Sequence, residues 1–184
     1  MEIFDLMVKR GSNRKFKTEQ IDGKILEKIL EAGELAPIAS KDYNRMHITV
    51  IQNKAFLKKI GKTIGNYLGK PFIDPLYKAP TFIIVSGKEY PDFNLGGNGI
   101  PQPYLEYANA GCIIENMTLM ATELGIGSVY ITGALYAFKL DKALLEQLNL
   151  PKEFKPLSGI VLGYPEKPLP NRKKRSKIII QKIL

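Results

Sequence analysis

The chain has 184 residues, of which 45% are hydrophobic and 24% charged, a composition that fits one folded domain and excludes a disordered or fibrous chain. Its single cysteine excludes an internal disulfide framework and a zinc site built from several cysteines. No apolar run approaches the ~18 residues of a membrane-spanning helix, and the first residues lack the pattern of a signal peptide. We therefore expect one cytoplasmic domain covering residues 1–184.

The net charge of +9 is concentrated in two short stretches. Residues 9–17 contain five basic residues and no acidic ones, and the same is true of residues 172–177. Without these ten, 17 of the 27 basic residues remain against 18 acidic ones, so the rest of the chain is nearly neutral. Such clusters bind nucleic acid, anionic membranes or phosphorylated small molecules, or simply keep a surface solvated. Two clusters on one small domain could also converge on a single anion.

The first half of the chain alternates between helical and strand patterns. Asp22 is placed to cap a helix whose apolar residues recur at helical spacing until Pro37 ends it. Residues 81–86 form a continuous apolar run of strand length, which predicts a strand covered on both faces. The predicted elements of this half are helices over residues 2–9, 22–36 and 54–66 and strands over residues 46–51 and 81–86.

The second half begins with a stretch rich in glycine and proline. Residues 87–103 predict a long irregular loop, a feature that often serves as a lid over a site. Residues 104–124 then predict the longest helix, which is apolar nearly all round and should therefore be central. Its small residues would allow a neighbouring helix to approach closely, and Gly125 closes it. The remaining predicted elements are strands over residues 128–131 and 158–162 and a helix over residues 139–149.

The chain finishes with an apolar segment, KIIIQKIL, that has the composition of a strand. We expect it either to complete the sheet of its own chain or to pair with the sheet of a partner. Helices and short strands are intermixed along the whole sequence, without a repeat. This order predicts an α+β or α/β domain with no internal boundary.

Histidine and cysteine, which often act in catalysis, lie here in surroundings that do not favour reactivity. His47, the only histidine, lies in a predicted strand with no recognisable partner to orient it as a general base. Cys112 lies in an apolar helical setting, where a cysteine is usually buried and unreactive. The glycines within residues 96–99 and 125–127 lack the spacing of a dinucleotide-binding fingerprint. We therefore predict no catalytic side chain and no metal site.

The N-terminal basic stretch is more informative, because Arg10, Ser12 and Arg14 occupy alternate positions. Alternate side chains of extended backbone lie on one face, so two guanidinium groups and a hydroxyl could close on one anion. The planar fork of arginine suits phosphate oxygens. Hydrogen bonds to a charged group contribute ~1.5–3 kcal/mol each, enough together to anchor a ligand without a covalent bond.

These residues belong to a longer pattern that resembles the FMN-dependent nitroreductase family over nearly the whole chain. Arginine, serine, arginine and phenylalanine occupy alternate positions over residues 10–16, and Leu-Ala-Pro-Ile-Ala stands at the end of the second predicted helix, at residues 35–39. The order and spacing of the motifs together carry the resemblance. The later ones are Ala-Pro at 79–80, Glu-Asn at 115–116, Leu-Gly-Ile-Gly at 124–127, Tyr-Ile-Thr-Gly at 130–133, Gly-Ile-Val-Leu-Gly-Tyr-Pro at 159–165 and Arg-Lys at 172–173.

The resemblance implies a nitroreductase-like three-layer α/β/α fold of the α+β class, with a mixed central sheet. It also implies a homodimer that exchanges its C-terminal strands and binds FMN at the interface. The basic residues would hold the phosphate and ribityl chain, residues 37–39 would reach the flavin from the partner subunit, and residues 131–133 would lie near its reactive N5. The implied FMN-binding residues are Arg10, Gly11, Ser12, Arg14, Pro37, Ile38, Ala39, Tyr43, Asn44, Ile131, Thr132, Gly133, Arg172 and Lys173.

One segment departs from the family pattern. The usual S-x-N-x-Q-P-W is replaced by Ala-Ser-Lys-Asp-Tyr-Asn-Arg at residues 39–45. The amide that commonly contacts the pyrimidine edge of the flavin is thus replaced by Tyr43 or shifted to Asn44. We expect FMN binding to survive, because the phosphate and N5 elements remain, and the substrate pocket and flavin tuning to differ.

The function that the resemblance implies is an FMN-dependent NAD(P)H oxidoreductase, which passes a hydride through flavin N5 to nitroaromatics, quinones or similar electron-poor acceptors. Reductive dehalogenation and flavin breakdown are found on the same scaffold and stay open. One alternative is a flavin store or sensor with little turnover, which anaerobic bleaching of the flavin by NAD(P)H would distinguish from an enzyme. A basic nucleic-acid-binding protein is a further alternative with less support.

Overall fold

The structure is a computed structural model that describes residues 2–91, 93–95, 98–100, 104–169 and 178–183. Helices and strands are intermixed along these residues. The helices are α1 (Ile3–Lys9), α2 (Gly23–Glu34), α3 (Lys54–Tyr67), α4 (Leu105–Glu123), α5 (Tyr136–Leu140) and α6 (Lys142–Gln147). The strands are β1 (Met46–Ile51), β2 (Thr81–Gly87), β3 (Phe93–Leu95), β4 (Asn98–Ile100), β5 (Gly127–Ile131) and β6 (Lys155–Gly163).

Four of the strands form the central sheet in the order β1-β2-β6-β5. Every neighbouring pair in this sheet is antiparallel. The mixed character that we expected is reduced, among the described residues, to a single parallel bridge between Ser12 and Ser128. The segment after α1 lies along the outer edge of β5 for too short a distance to become a fifth strand. β2 is buried along its whole length, as its continuous apolar run predicts.

Helices cover both faces of the sheet. Because successive strand residues point to opposite faces, Ile83 and Val85 of β2 contribute to the core under α2 and α4. Phe82 and Ile84 contribute to the second core, under α3, α5 and α6. The three-layer α/β/α arrangement and the α+β class are therefore confirmed.

The helices α2 and α4, which cover one face of the sheet, form where their sequence predicts. The Asp22 carboxylate accepts hydrogen bonds from the amides of Lys24 and Ile25 and so caps α2. α4 packs against α2, β2, β5 and β6, which confirms its central position. It ends before Gly125, whose φ of +74° is the left-handed geometry that favours glycine after a helix.

The prediction of one helix over residues 139–149 is wrong. α5 begins earlier, and the backbone leaves helical geometry at Asp141, where φ is −131° and ψ is 101°. The Asp141 side chain then accepts a hydrogen bond from the amide of Leu144 and caps α6. A capping residue inside a helical pattern therefore starts a second helix.

The prediction of a wholly irregular loop over residues 87–103 is also wrong. β3 and β4 pair in antiparallel register, with Phe93 opposite Ile100 and Leu95 opposite Asn98. Strands of three residues are too short to show an alternating hydrophobic pattern, and the glycines of this stretch indicate a loop. A role of this region as a lid stays a prediction.

The C-terminal segment has no strand partner within the described part of this chain. The side chains of Ile178, Ile179, Ile180 and Ile183 are 77–96% exposed. The segment therefore does not complete the sheet of its own chain, and pairing with a partner chain stays a prediction. None of the described helices is both long and apolar enough to cross a membrane. The cytoplasmic location stays a prediction.

Candidate functional site

The basic N-terminal segment is attached to the outer edge of the sheet. Ser12 bridges to Ser128, whose carbonyl accepts a hydrogen bond from the amide of Asn13 at 2.8 Å. Farther along, the amide of Lys17 donates to the carbonyl of Tyr164 at 2.8 Å. The sheet edge therefore fixes the backbone of the predicted anion-binding residues.

The two predicted arginines have different neighbours. Arg10 Nε lies 3.7 Å from Oε1 of Glu115 on α4, with 38% of the arginine side chain exposed. The Arg14 guanidinium lies over the ring of Tyr77, 5.7 Å from its centroid. Neither of these contacts is a buried ion pair, and binding of an anion by the two groups stays a prediction. The contacts of the described residues do not join the two guanidinium groups to Ser12, and convergence of the three stays a prediction.

A cavity of about 410 Å³ opens beside Arg14. The Asp74 carboxylate shapes its wall by accepting hydrogen bonds from the amides of Leu76 at 2.9 Å and Lys78 at 3.0 Å. These bonds support positive φ angles at Tyr77 (55°) and Lys78 (57°), which place the tyrosine ring near Arg14. The lining residues are Arg14, Lys15, Phe16, Phe72, Asp74, Tyr77, Lys78 and Glu166. A larger cavity of about 540 Å³, between β1, α3 and α6, contains none of the predicted site residues.

The segment of residues 37–39 is held by side chains from distant parts of the chain. The amide of Ala39 donates to Oδ1 of Asn109 at 3.0 Å, and its carbonyl accepts from the Tyr90 hydroxyl at 3.1 Å. Asn109 Nδ2 in turn donates to the Tyr90 hydroxyl at 2.9 Å. Ile38 is buried and anchors the segment from below.

Sequence reasoning missed Asn109 and Tyr90. The available signal was a polar residue within the most apolar helix, since a polar side chain on the buried face of such a helix must find a hydrogen-bond partner. Asn109 is only 4% exposed. Its partners are 70 and 19 residues away along the chain, which no local pattern reveals.

The segment that departs from the family pattern is irregular. Ser40 and Lys41 have φ angles of 57° and 54°, which are costly for residues other than glycine. Tyr43 and Asn44 follow on a single turn of 3₁₀ helix (Tyr43–Arg45), and both are exposed. Contact of these two side chains with a flavin stays a prediction.

Charged residues lie next to this segment. Lys155 pairs with the exposed Glu89 and lies 3.6 Å from the buried Glu106. The hydrogen bond between Lys155 and Glu89 lowers the pKa of the carboxyl group and raises the pKa of the ammonium group. Burial raises the pKa of Tyr90 above its ordinary value of 10.0. At neutral pH Tyr90 is therefore protonated and able to donate to Ala39.

The end of β5 has open backbone. Ile131 is buried, whereas Thr132 and Gly133 are exposed. A β-carbon at Gly133 would meet no atom within 4 Å, so the backbone at this position faces open space. Glycine here permits a ligand to approach the main chain closely. Two further predicted residues, Arg172 and Lys173, lie outside the described residues.

His47 and Cys112 do not form a catalytic constellation. The His47 ring meets Phe154 edge-on at 6.1 Å, and its Nδ1 lies 3.4 Å from the Thr49 hydroxyl. Cys112 is exposed, contrary to our expectation of burial, because it lies on the face of α4 that points away from both cores. The described residues contain no group of three or more His, Cys, Asp or Glu side chains that could hold a metal ion.

A model of the nitroreductase family matches residues 7–164. This chain belongs to the nitroreductase family. The FMN reductase [NAD(P)H] of Bacillus subtilis (strain 168) is 30% identical over 174 residues, which cover 89% of this chain and 66% of that protein, slightly less than two thirds of its length. An Archaeoglobus fulgidus protein that carries an NADH dehydrogenase/NAD(P)H nitroreductase name is 31% identical over 90% of this chain and 86% of its own.

The fold of this nitroreductase-family chain also matches solved structures. A nitroreductase of Bacteroides fragilis NCTC 9343 with bound FMN superposes with a TM-score of 0.80 and 28% identity. The superposition covers 100% of this chain and 99% of that chain. The family and the fold that the sequence motifs indicate are therefore confirmed.

Proposed function

We propose that this chain binds FMN and acts as an NAD(P)H oxidoreductase. The observation that carries this proposal is the full-length similarity to a nitroreductase solved with bound FMN. The name of the Bacillus subtilis relative, which specifies NAD(P)H, supports the same electron donor. When bound, FMN would supply hydride transfer from NAD(P)H to an electron-poor acceptor such as a nitroaromatic or a quinone.

The residues at the sheet edge fit the phosphate end of FMN. Arg10 and Arg14 offer guanidinium groups and Ser12 offers a hydroxyl, and Gly11 keeps the intervening backbone uncrowded. Charge-assisted hydrogen bonds from arginine to phosphate are among the strongest that proteins make. The basic tail residues Arg172 and Lys173 would add to this anion site. These residues would bind and orient the cofactor and would take no part in the hydride transfer.

The open backbone after β5 fits the other end of the cofactor. Gly133 leaves room for a planar ring, and the exposed main chain of Thr132 beside it offers polar groups. Ile131, at the end of β5, would give this surface a rigid base. Residues 37–39, with Tyr43 and Asn44 after them, would close the site from a second subunit.

A homodimer is part of the proposal. Tyr104 and Tyr107 at the start of α4 are 72% and 45% exposed, and Ile3 and Phe4 of the adjacent α1 are 70% and 61% exposed. Large apolar side chains that stay exposed on two helices in contact are candidates for an interaction surface. A second copy that covers them with its own α1 and α4, and exchanges its C-terminal strand, would bury all of these groups.

Replacement of the arginines tests the phosphate role. Arg10→Ala and Arg14→Ala should each weaken FMN binding about 10- to 100-fold, since each removes hydrogen bonds to a charged group. The rate at which NAD(P)H reduces the flavin that stays bound should change little. Lys17→Ala is the matched control, because Lys17 is an exposed cation of the same stretch outside the proposed site.

Titration of the apoprotein with FMN measures the affinity, and anaerobic bleaching of the bound flavin by NAD(P)H measures reduction. Wild-type FMN affinity in Arg10→Ala would show that the phosphate role is wrong. Bound flavin that NAD(P)H does not bleach would favour a flavin store over an enzyme. Turnover with a nitroaromatic compared with a quinone would then define the acceptor class.

A further inference from the structure

The main chain of Ala39 is fixed by a closed set of three hydrogen bonds. Its amide donates to Asn109 Oδ1 at 3.0 Å, its carbonyl accepts from the Tyr90 hydroxyl at 3.1 Å, and Asn109 Nδ2 donates to that hydroxyl at 2.9 Å. Both backbone polar groups of Ala39, which belong to two consecutive peptide groups, are thus held by side chains from other elements. This arrangement fixes the orientation of the peptide planes as well as the position of the segment.

Each side chain of this set is itself held firmly. Asn109 lies near the N-terminal end of α4 and is 4% exposed, so few other hydrogen-bond partners are within its reach. The ring of Tyr90 lies under the guanidinium of Arg45, 5.0 Å from the ring centroid. Arg45 is fixed in turn by Asp42, at 2.7 Å, and by the carbonyl of Glu89, at 2.8 Å.

The backbone next to Ala39 needs such support. Ser40 and Lys41 both adopt left-handed φ angles, of 57° and 54°. Non-glycine residues keep this geometry only where the surroundings enforce it, and clusters of such residues are typical of ligand sites. The buried Ile38 holds the segment through its side chain but does not set the direction of the following peptide groups.

We propose that Asn109 and Tyr90 are positioning residues that hold residues 37–39 in the backbone geometry that receives the flavin. This assignment rests on the proposed function, in which residues 37–39 contact FMN bound mainly by the other subunit. In this assignment the two side chains would not need to touch the cofactor. They act through Ala39, and they connect the flavin-facing backbone to α4 and to the segment that follows β2.

Two variants, one with a small and one with a larger change of side chain, test the assignment. Tyr90→Phe keeps the ring that packs under Arg45 but loses the bond to the Ala39 carbonyl and the bond from Asn109. Asn109→Ala loses the bond from the Ala39 amide and the bond to Tyr90. We expect FMN affinity to fall about 3- to 10-fold in each variant, in line with the loss of one neutral hydrogen bond to Ala39 and of the bond between the two side chains. The visible circular dichroism of the bound flavin should change in both, because the ring then lies against a less defined backbone.

Asn116→Ala is the matched control. Asn116 also lies on α4 and donates a side-chain hydrogen bond to a backbone carbonyl of α2, that of Ala32, at 3.1 Å. Its replacement should lower thermal stability to a similar extent and leave FMN affinity and the flavin spectrum unaltered. Hydrogen exchange of the amides of residues 38–42 in the apoprotein should rise in Asn109→Ala and stay at the wild-type level in Asn116→Ala.

The outcomes separate this assignment from the proposed function. If the wild-type protein binds FMN and both Tyr90→Phe and Asn109→Ala keep its affinity and flavin spectrum, the positioning role is overturned while the proposed function stands. If the wild-type protein binds no FMN, both are overturned. Should Asn109→Ala fail to fold, Tyr90→Phe alone decides, through its FMN affinity and flavin spectrum.

Discussion

The side chain of Asn13 lies directly against the α-carbon of Gly127, the first residue of β5. A β-carbon at position 127 would be 2.6 Å from Asn13 Nδ2 and 3.0 Å from its Cγ. Asn13 Nδ2 also donates to the carbonyl of Lys15 at 2.8 Å. The side chain therefore stabilises the turn of the basic segment and packs against the sheet edge. The absence of a side chain at Gly127 is therefore what lets the anion-binding segment lie close to β5.

Gly127→Ala should displace this segment. The new methyl group forces Asn13 to move and breaks its bond to Lys15, at a cost of about 1 kcal/mol in unfolding free energy. Because Arg10, Ser12 and Arg14 are carried by the same backbone, FMN affinity should fall several-fold in a titration of the apoprotein. Gly23→Ala, at a position where a β-carbon would meet no atom within 4 Å, should leave the affinity unaltered. Equal FMN affinities for the two variants would contradict this account.

The fold could be predicted largely from local patterns, since each helix and strand depends on residues close together in the chain. Asp22 caps α2 as its position indicates, and the apolar run of β2 forms a strand buried on both faces. The differences also have local causes: the cap at Asp141 lies inside a helical pattern and divides it into two helices. Antiparallel pairing in the sheet could not be foreseen, because strand direction depends on how distant segments meet.

The candidate site was predictable only where a motif carried it. Arg10, Ser12 and Arg14 stand out because charge and spacing coincide within five residues. The bonds that Asn109 and Tyr90 make to Ala39 join three segments that are far apart in the sequence. Such contacts are set by the packing of α4 against the sheet, and a single sequence contains no periodic signal for them.

Lys155 provides a second prediction, because it is shared between two carboxylates of different burial. The Glu106 side chain is 5% exposed and the Glu89 side chain is 76% exposed. Lys155→Met should lower the free energy of unfolding by about 1–3 kcal/mol, since it leaves a buried charge without its cation. Glu89→Gln should change stability little, because an exposed ion pair contributes little. Urea unfolding measures the free energy of unfolding of both variants. A larger loss of that free energy in Glu89→Gln than in Lys155→Met would contradict this prediction.

The C-terminal isoleucines provide a third prediction. Ile179 is 96% exposed in the single chain, a state that an exchanged strand would abolish. Ile179→Asp should therefore shift the protein from dimer to monomer in sedimentation velocity and reduce FMN retention on gel filtration. Lys182→Ser, an exposed polar change in the same segment, should leave the dimer intact. A dimer that persists unchanged in Ile179→Asp would rule out burial of this side chain at the subunit interface.

Ionisation of Tyr90 should lower both the free energy of unfolding and the FMN affinity at alkaline pH. Burial raises its pKa in the folded protein above the ordinary value of 10.0, so the folded state holds the phenol proton more tightly than the unfolded state does. The contribution of this proton is complete below pH 10.0 and is lost as pH rises through the folded value. Tyrosinate also cannot donate to the Ala39 carbonyl, so FMN should dissociate over the same range.

The comparison with Tyr90→Phe isolates this group. Lys155, whose pKa is also raised, loses its contribution in the same direction, but it does so in both proteins. The difference in unfolding free energy between wild type and Tyr90→Phe should therefore narrow as pH rises above 10.0. This difference is measured by urea unfolding at a series of alkaline pH values, with tyrosinate absorbance followed in parallel. A difference that stays constant across the series would mean that the buried phenol does not couple ionisation to folding.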